Sequence, residues 1–268
     1  VQVSFLGYAG TQGAEWIDYV IADATVLPPE QQSHWVEQAV RLPASAWPSD
    51  RSRPLPDAPA DRAAYGLPAD GVAFACFCNP FKITPAMFAN WMEILRRVPG
   101  SVLWLYEANA LAPGNLRREA RAAGIDPARL VFAPPVALEE HLARHACADV
   151  FLDTAPFGAH TTGLDALWAG VPMVTCRGES MASLAGASLL RAAGLPELIA
   201  SDNAGYVELA VGLATDPARR LALRAHLVAA REASPLFDAA AFARALERAF
   251  LQMAAVSREG RAAVAFDV

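Results

Sequence analysis

Apolar residues fall into two alternating patterns along most of this chain. Runs that are apolar almost throughout (Val72–Cys78, Ser101–Tyr106, Leu130–Ala133, Val150–Leu152 and Met173–Thr175) predict strands buried on both faces. Between them lie segments whose apolar residues recur at helical spacing. Thr84-Pro85 opens the first, with Met87, Phe88, Trp91, Ile94 and Leu95 on one face, and Pro99-Gly100 stops it. Helices are likewise predicted over Asn115–Ala123, Leu138–Ala146 and Ala182–Ala193, and from the Thr161-Thr162 pair to Gly170. Three more helical segments follow: from about Asn203, after Asp216-Pro217, and from Asp238 to about Ala254. Strands alternating with helices of this length imply an α/β fold with a doubly wound, mostly parallel sheet.

The opening residues do not join this series. Val1–Leu6 reads as a strand running into a loop with Gly7, Gly10 and Gly13 three apart, which is not the dinucleotide spacing G-x-G-x-x-G. Tyr19–Asp23 predicts a strand and Pro29–Val40 a helix. Proline is dense from Pro43 to Pro59, which predicts a linker. The expected organisation is therefore 1–42 as the end of a first lobe, 43–60 as linker, 61–254 as a second lobe and 255–268 as a tail.

Composition narrows the function classes. With 268 residues, 54% of them hydrophobic, the chain can fill a sizeable core. The net charge is −6 and the cations are scattered, so no basic stripe suits a nucleic acid. No apolar run approaches the ~18 residues of a membrane span, and the first residues do not form a signal peptide. Cys76, Cys78, Cys147 and Cys176 lack zinc or haem spacing, and reduced thiols in a cytoplasmic protein are expected. Of 22 Lys and Arg residues only Lys82 is lysine, which suggests a place where a compact ammonium is wanted and a planar guanidinium will not fit.

Three loops emerging on one side of such a sheet carry polar chemistry. Asn79-Pro80-Phe81-Lys82 holds the sole lysine, the loop before Leu138 brings His141 into the first turn of its helix, and His160-Thr161-Thr162 begins another helix. A helix start combines free N–H groups with the positive end of the macrodipole, so with these donors the rim suits a diphosphate and its nucleoside. Plainer readings stand beside this one: Thr161 or Thr162 as an ordinary cap, His141 as a surface histidine, and Asp165 as a complement to the helix dipole. Asp165 would repel a phosphate set on top of it, so it is expected to point aside, to a ribose hydroxyl or a neighbouring donor. Asp153 stands alone at a strand end, and no metal-ligand set is expected.

These residues, taken with others in order, resemble the C-terminal half of the catalytic region of the protein O-GlcNAc transferases, in a bacterial form. The resemblance runs from Val1 to about Ala254. It is carried by Leu6-Gly7-Tyr8, Phe81-Lys82-Ile83, Arg97 to Leu105, Glu139-Glu140-His141, Leu152-Asp153-Thr154, His160-Thr161-Thr162-Gly163, Leu167 to Thr175 and Ser234 to Phe237. It implies a GT-B-type glycosyltransferase: a Rossmann-like lobe holding UDP-GlcNAc, plus the tail of a first lobe. It also implies inverting, metal-independent transfer of GlcNAc to Ser or Thr hydroxyls of proteins, with no cofactor. By resemblance, Lys82 contacts the diphosphate and supports leaving-group departure, while His160, Thr161 and Thr162 bind phosphate with Asp165 beside them. His141 lies against the nucleoside, the Val136 backbone reads uracil, and Arg144 reaches the base edge. Leu138 replaces a lysine of animal members, and Asn79 replaces a glutamine. The implied partners are UDP or UDP-GlcNAc, a protein acceptor, and an upstream lobe with TPR repeats; neither nucleic acid nor membrane is among them. A UDP-GlcNAc 2-epimerase-like isomerase and a non-catalytic UDP-sugar-binding lobe are the alternatives.

Overall fold

The computed structural model describes residues 1–55 and 61–268. In chain order the elements begin with β1 (Val3–Ser4), β2 (Tyr19–Asp23), β3 (Gln38–Leu42), β4 (Ala73–Cys76), α1 (Pro85–Arg97), β5 (Val102–Tyr106) and α2 (Leu111–Ala122). Next come β6 (Leu130–Ala133), α3 (Leu138–His145), β7 (Val150–Leu152), α4 (Thr161–Trp168), β8 (Met173–Cys176) and α5 (Met181–Ala192). The chain ends with β9 (Ile199–Ala200), α6 (Asn203–Thr215), α7 (Pro217–Ala233), α8 (Ala239–Arg258) and β10 (Phe266–Asp267).

Two sheets result. The larger has strand order β6-β5-β4-β7-β8-β9, and every pairing in it is parallel. The inner strands β4 and β7 are buried along their whole length, as a sheet covered on both faces requires. Trp91 of α1 and Trp104 of β5 are fully buried with Phe74 and Phe151 in the core around this sheet. The smaller sheet runs β1-β2-β3-β10, also all parallel.

The strand order locates the site. Strand β4 pairs with β5 on one side and β7 on the other, with Phe74 opposite Val150 and Ala75 opposite Phe151. Order therefore reverses between β4 and β7, and the loops leaving these two strands diverge around a crevice. Those loops carry Lys82 and His160.

Several sequence expectations are corrected. The helix expected over 29–40 is a 3₁₀ turn (Pro29–His34) followed by β3, whose residues are buried at four of five positions and pair with β2. Pairing with a ready strand outweighs the weak local helical preference. The first strand shrinks to Val3–Ser4 because Leu6 adopts φ +52 and turns the chain. Helix α2 starts four residues before Asn115, since the Asn109 side chain accepts from the N–H groups of Leu111 and Ala112 (3.0 and 2.9 Å).

The assignment of 239–254 to the second lobe also changes. Ala245, Ala249 and Met253 of α8 pack with Tyr19, Ile21, Val40 and Leu42 of the small sheet. The expected tail continues this return, and β10 pairs with β3. Residues 43–55, expected as linker, form a docked strap. The Ala46 N–H and the Ser188 hydroxyl both donate to the buried Asp23 carboxylate (2.8 and 2.7 Å). Residues 56–60 of the expected linker lie outside the described residues.

Candidate functional site

The helix starts of the chain differ in one respect. Helices α1, α5, α6, α7 and α8 each begin with a side chain that accepts from the first turn, and Asn109 serves α2. Helices α3 and α4 have no such cap. Their first N–H groups are left for another acceptor, and dipole and donors together favour an anion. Thr161 and Thr162 therefore do not cap their own helix; instead Thr162 Oγ1 lies 3.4 Å from Cys78 Sγ at the end of the β4 segment.

Between these two helix starts lies a hollow of about 420 Å³ lined by Asn79, Tyr106, Val136, Leu138, His141 and Thr162 among others. Sequence reasoning placed Asn79, Val136, His141 and Thr162 together, and they share this wall. Arg144 also reaches the hollow but is 1% exposed. Its Nη1 donates to the Pro134 carbonyl (2.7 Å), its Nε and Nη2 lie 3.1 and 2.7 Å from His141 Nδ1, and its guanidinium rests over the Phe77 ring. Its donors thus serve the protein, and what they fix is the imidazole. With Nδ1 accepting from Arg144, the His141 proton sits on Nε2, 3.7 Å from Asp165 Oδ2.

Lys82 closes the opposite side of the crevice. A one-turn 3₁₀ segment, Pro80–Lys82, begins at Asn79, whose side chain accepts from the Phe81 N–H (3.3 Å), and aims the lysine across the gap. Lys82 Nζ donates to the Gly158 carbonyl (2.8 Å) and stands 4.2 Å above the Phe157 ring. Gly158 is two residues before His160, so the ammonium lies against the turn that leads into α4. His160 stacks on Phe157 and lies tilted against Trp47, at centroid distances of 5.2 and 4.9 Å. One ring nitrogen bonds the Ala182 carbonyl, which leaves Nε2 buried and without a partner. His160 and Thr161 also border a second cavity of about 320 Å³, whose other wall is the Leu6–Ala9 loop of the small sheet.

The turn itself is built on Asp153. Its Oδ1 accepts from the N–H groups of Thr154 and Ala159 (2.7 and 2.6 Å), and its Oδ2 from the Thr175 hydroxyl (2.7 Å). Glycine at 186 leaves the space this needs, since a Cβ there would fall 2.2 Å from Oδ2. Burial raises the Asp153 carboxyl from 3.8 to about 6, against the lowering pull of these donors.

The histidines are shifted the other way. Burial first, then the nearby Arg144 and Arg53 charges, lowers His141 from 6.5 to about 4. Burial lowers His145 to about 3, and burial with Lys82 lowers His160 to about 4. Because the folded state resists protonating these rings, their contribution is complete above the unfolded value of 6.5 and is lost as pH falls towards 4. Asp153 opposes this between about pH 6 and 3.8, where its protonation favours the folded state. Burial also raises the Asp23 and Asp165 carboxyls, which act in the same sense as Asp153, but the large shifts of three imidazoles outweigh them. Melting temperature is expected to fall steeply from about pH 7 to about pH 4.5; a flat profile there would contradict the buried, neutral histidines.

Sequence reasoning missed three participants. Trp47 and Arg53 lie in the proline-rich strap, where a tryptophan among prolines was the one visible signal. Arg53 pairs directly with Asp165. Phe157 had no signal, because its role depends on how the turn folds back on Lys82. Among the described residues no group of three or more His, Cys, Asp or Glu is placed to hold a metal ion, and no helix is long and apolar enough to cross a membrane.

Comparison with known proteins gives this rim a family. The model of Glycosyl transferase family 41 matches residues 58–246, most of the chain and all of the crevice residues from Asn79 to Asp165. The chain belongs to family 41. It is 38% identical over 259 residues to a probable UDP-N-acetylglucosamine–peptide N-acetylglucosaminyltransferase SEC of Arabidopsis thaliana, covering 94% of this chain and 26% of that protein. It superposes on a mutant O-GlcNAc transferase of Thermobaculum terrenum with a TM-score of 0.84 and 34% identity, covering 94% of this chain and 48% of that one. A lipopolysaccharide glycosyltransferase, WaaG, shares the fold at TM-score 0.60 and 15% identity, covering 88% of this chain and 64% of that one. This family 41 chain thus has the GT-B type of fold, with a six-stranded Rossmann-like parallel sheet and a second, four-stranded parallel sheet among the described residues. It spans about a quarter of the length of the plant relative and about half of the bacterial one.

Proposed function

We propose that this chain is the nucleotide-sugar-binding part of an inverting glycosyltransferase that moves GlcNAc from UDP-GlcNAc to Ser or Thr hydroxyls of proteins. The observation that carries this is the pairing of the Lys82 ammonium with the turn into the uncapped helix α4, beside the hollow of His141 and Val136. A uracil and ribose fit the hollow, and the diphosphate lies between Lys82 and the α4 start. The sugar then extends towards the cavity shared with the Leu6–Ala9 loop.

In the reaction the acceptor oxygen attacks the anomeric carbon from the face opposite UDP. The bond from that carbon to the β-phosphate oxygen breaks, and its electron pair stays on UDP. The negative charge that develops there meets Lys82 and the N–H groups of α4, fixed donors that need no rearrangement at the moment of reaction. The acceptor's proton leaves to a base. That base stands on the acceptor's side of the anomeric carbon, in an upstream lobe, or is a phosphate oxygen reached through water; His160, at the start of α4, is on the UDP side. Lys82 provides the cationic charge that a divalent ion provides in other nucleotide-sugar enzymes, so transfer proceeds without metal. An upstream catalytic lobe and TPR repeats are the partners this reading calls for to present the acceptor.

The test is transfer of labelled GlcNAc from UDP-GlcNAc into protein by the intact enzyme, with and without EDTA. Label in Ser or Thr residues, unaffected by EDTA, is the expected result. Epimerised sugar nucleotide with no label in protein would replace this reading with an isomerase.

A further inference from the structure

The strap that follows β3 meets helix α4 at Arg53. Arg53 pairs through Nη2 with Asp165 Oδ1, and both side chains are nearly out of water, 14% and 6% exposed. The Arg53 carbonyl also accepts from Trp168 Nε1 (3.2 Å) on the same helix. Guanidinium and backbone are thus fastened one turn apart along α4. Asp165 turns its other oxygen towards the Nε2 of His141, the ring that Arg144 orients at the hollow.

Asp165 poses an electrostatic problem. It stands in the second turn of a helix whose uncapped start attracts an anion, so an ionised carboxylate there opposes the anion. Burial raises its carboxyl above the usual range, and the Arg53 charge and hydrogen bond pull it back. Among the described residues, Arg53 is the one full cation paired with this carboxylate.

We propose that Arg53 is a positioning residue of the donor site, reaching it from the strap between the lobes. Its guanidinium cancels the Asp165 charge behind the phosphate seat and leaves the second carboxylate oxygen facing the His141 Nε2, 3.7 Å away. This rests on the nucleotide reading above, and it makes the strap part of the donor site. Arg53 touches no reacting atom; it acts through Asp165.

A role through charge depends on the charge of the ligand, whereas a merely structural role does not. Binding of UDP and of uridine to the intact protein is therefore measured by calorimetry for the wild type, Arg53→Gln, Asp165→Asn and the double variant. Arg53→Gln is expected to weaken UDP roughly tenfold or more, and uridine by about twofold or less. In the Asp165→Asn background the same change is expected to cost UDP about threefold or less, because no carboxylate remains to be uncovered. Arg53→Lys keeps a cation and should hold UDP within about threefold of wild type, which tests the idea even if Arg53→Gln fails to fold.

Equal proportional losses for UDP and uridine would overturn the proposal, as would an equal cost of Arg53→Gln in both backgrounds or a Lys variant as weak as Gln. Wild-type protein that binds neither ligand would remove the donor-site reading and this proposal together. UDP binding that is strong and indifferent to Arg53→Gln would remove only the proposal.

Discussion

Lys82→Ala is expected to lower kcat for GlcNAc transfer by about 10²–10³-fold while leaving the protein folded. The reason is the asymmetry of what Lys82 does. In the free protein its ammonium makes one hydrogen bond, to the Gly158 carbonyl, and lies over Phe157. Losing that contact costs stability about 1 kcal/mol, a shift of a few degrees in melting temperature. In the transition state the same ammonium meets charge that the ground state lacks, and that difference sets the rate. Lys82→Arg should recover only a small part, because a planar fork does not fit between a carbonyl oxygen and a ring face as a point charge does. Steady-state kinetics beside a thermal melt separates the two effects. A kcat within threefold or so of wild type would show that the leaving group is stabilised elsewhere.

The second large effect concerns folding. Asp153→Ala is expected to destabilise the protein by about 3–5 kcal/mol. The substitution strands the N–H groups of Thr154 and Ala159 and the Thr175 hydroxyl, all buried, and leaves a void beside Gly186. Asp153→Asn should be far milder. Its carbonyl can accept from both N–H groups, and the Thr175 hydroxyl can turn to accept from its amide. Denaturant unfolding of the two variants checks this. Equal losses would mean that the negative charge, and not the hydrogen-bond geometry, organises the turn. The same turn carries the Gly158 carbonyl, so Asp153→Asn is also the milder variant for transfer activity.

The two effects arise from one feature, the reversal of strand order between β4 and β7. That reversal was legible only indirectly. Apolar runs at 72–78, 101–106, 130–133, 150–152 and 173–175 announced five of the strands of the large sheet, because strands buried on both faces have no polar side to obscure them. Their spatial order was not written in any of them; only pairing across the sheet sets it. The two-residue strands β9 and β10 were too short for any period to register. Residues 38–42 misled because Gln38 and Arg41 interrupt the apolar alternation. Arg41 is nonetheless buried, with its Nε donating to the Leu27 carbonyl (2.7 Å).

The site divides along the same line. Lys82 stood out because it is the sole lysine, and the His160-Thr161-Thr162 run stood out because its donors are adjacent in sequence. Both signals are local. What completes the site is not: Trp47 and Arg53 arrive from more than a hundred residues upstream of α4, and Arg144 turns its guanidinium inward to hold His141. Asp165 was expected to point aside, to a ribose hydroxyl or a neighbouring donor; in the folded chain it pairs with Arg53 and has His141 Nε2 3.7 Å away. Which donor it would meet depended on the path of a strap that the proline content marked as a linker.

The most direct measurement is a crystal structure of the intact protein with UDP bound. Uracil is expected in the hollow by Val136 and His141, with the β-phosphate within hydrogen-bond reach of Lys82 Nζ and the first N–H groups of α4 turned onto the diphosphate. Lys82 still resting on the Gly158 carbonyl, with the nucleotide seated on another edge of the sheet, would contradict this.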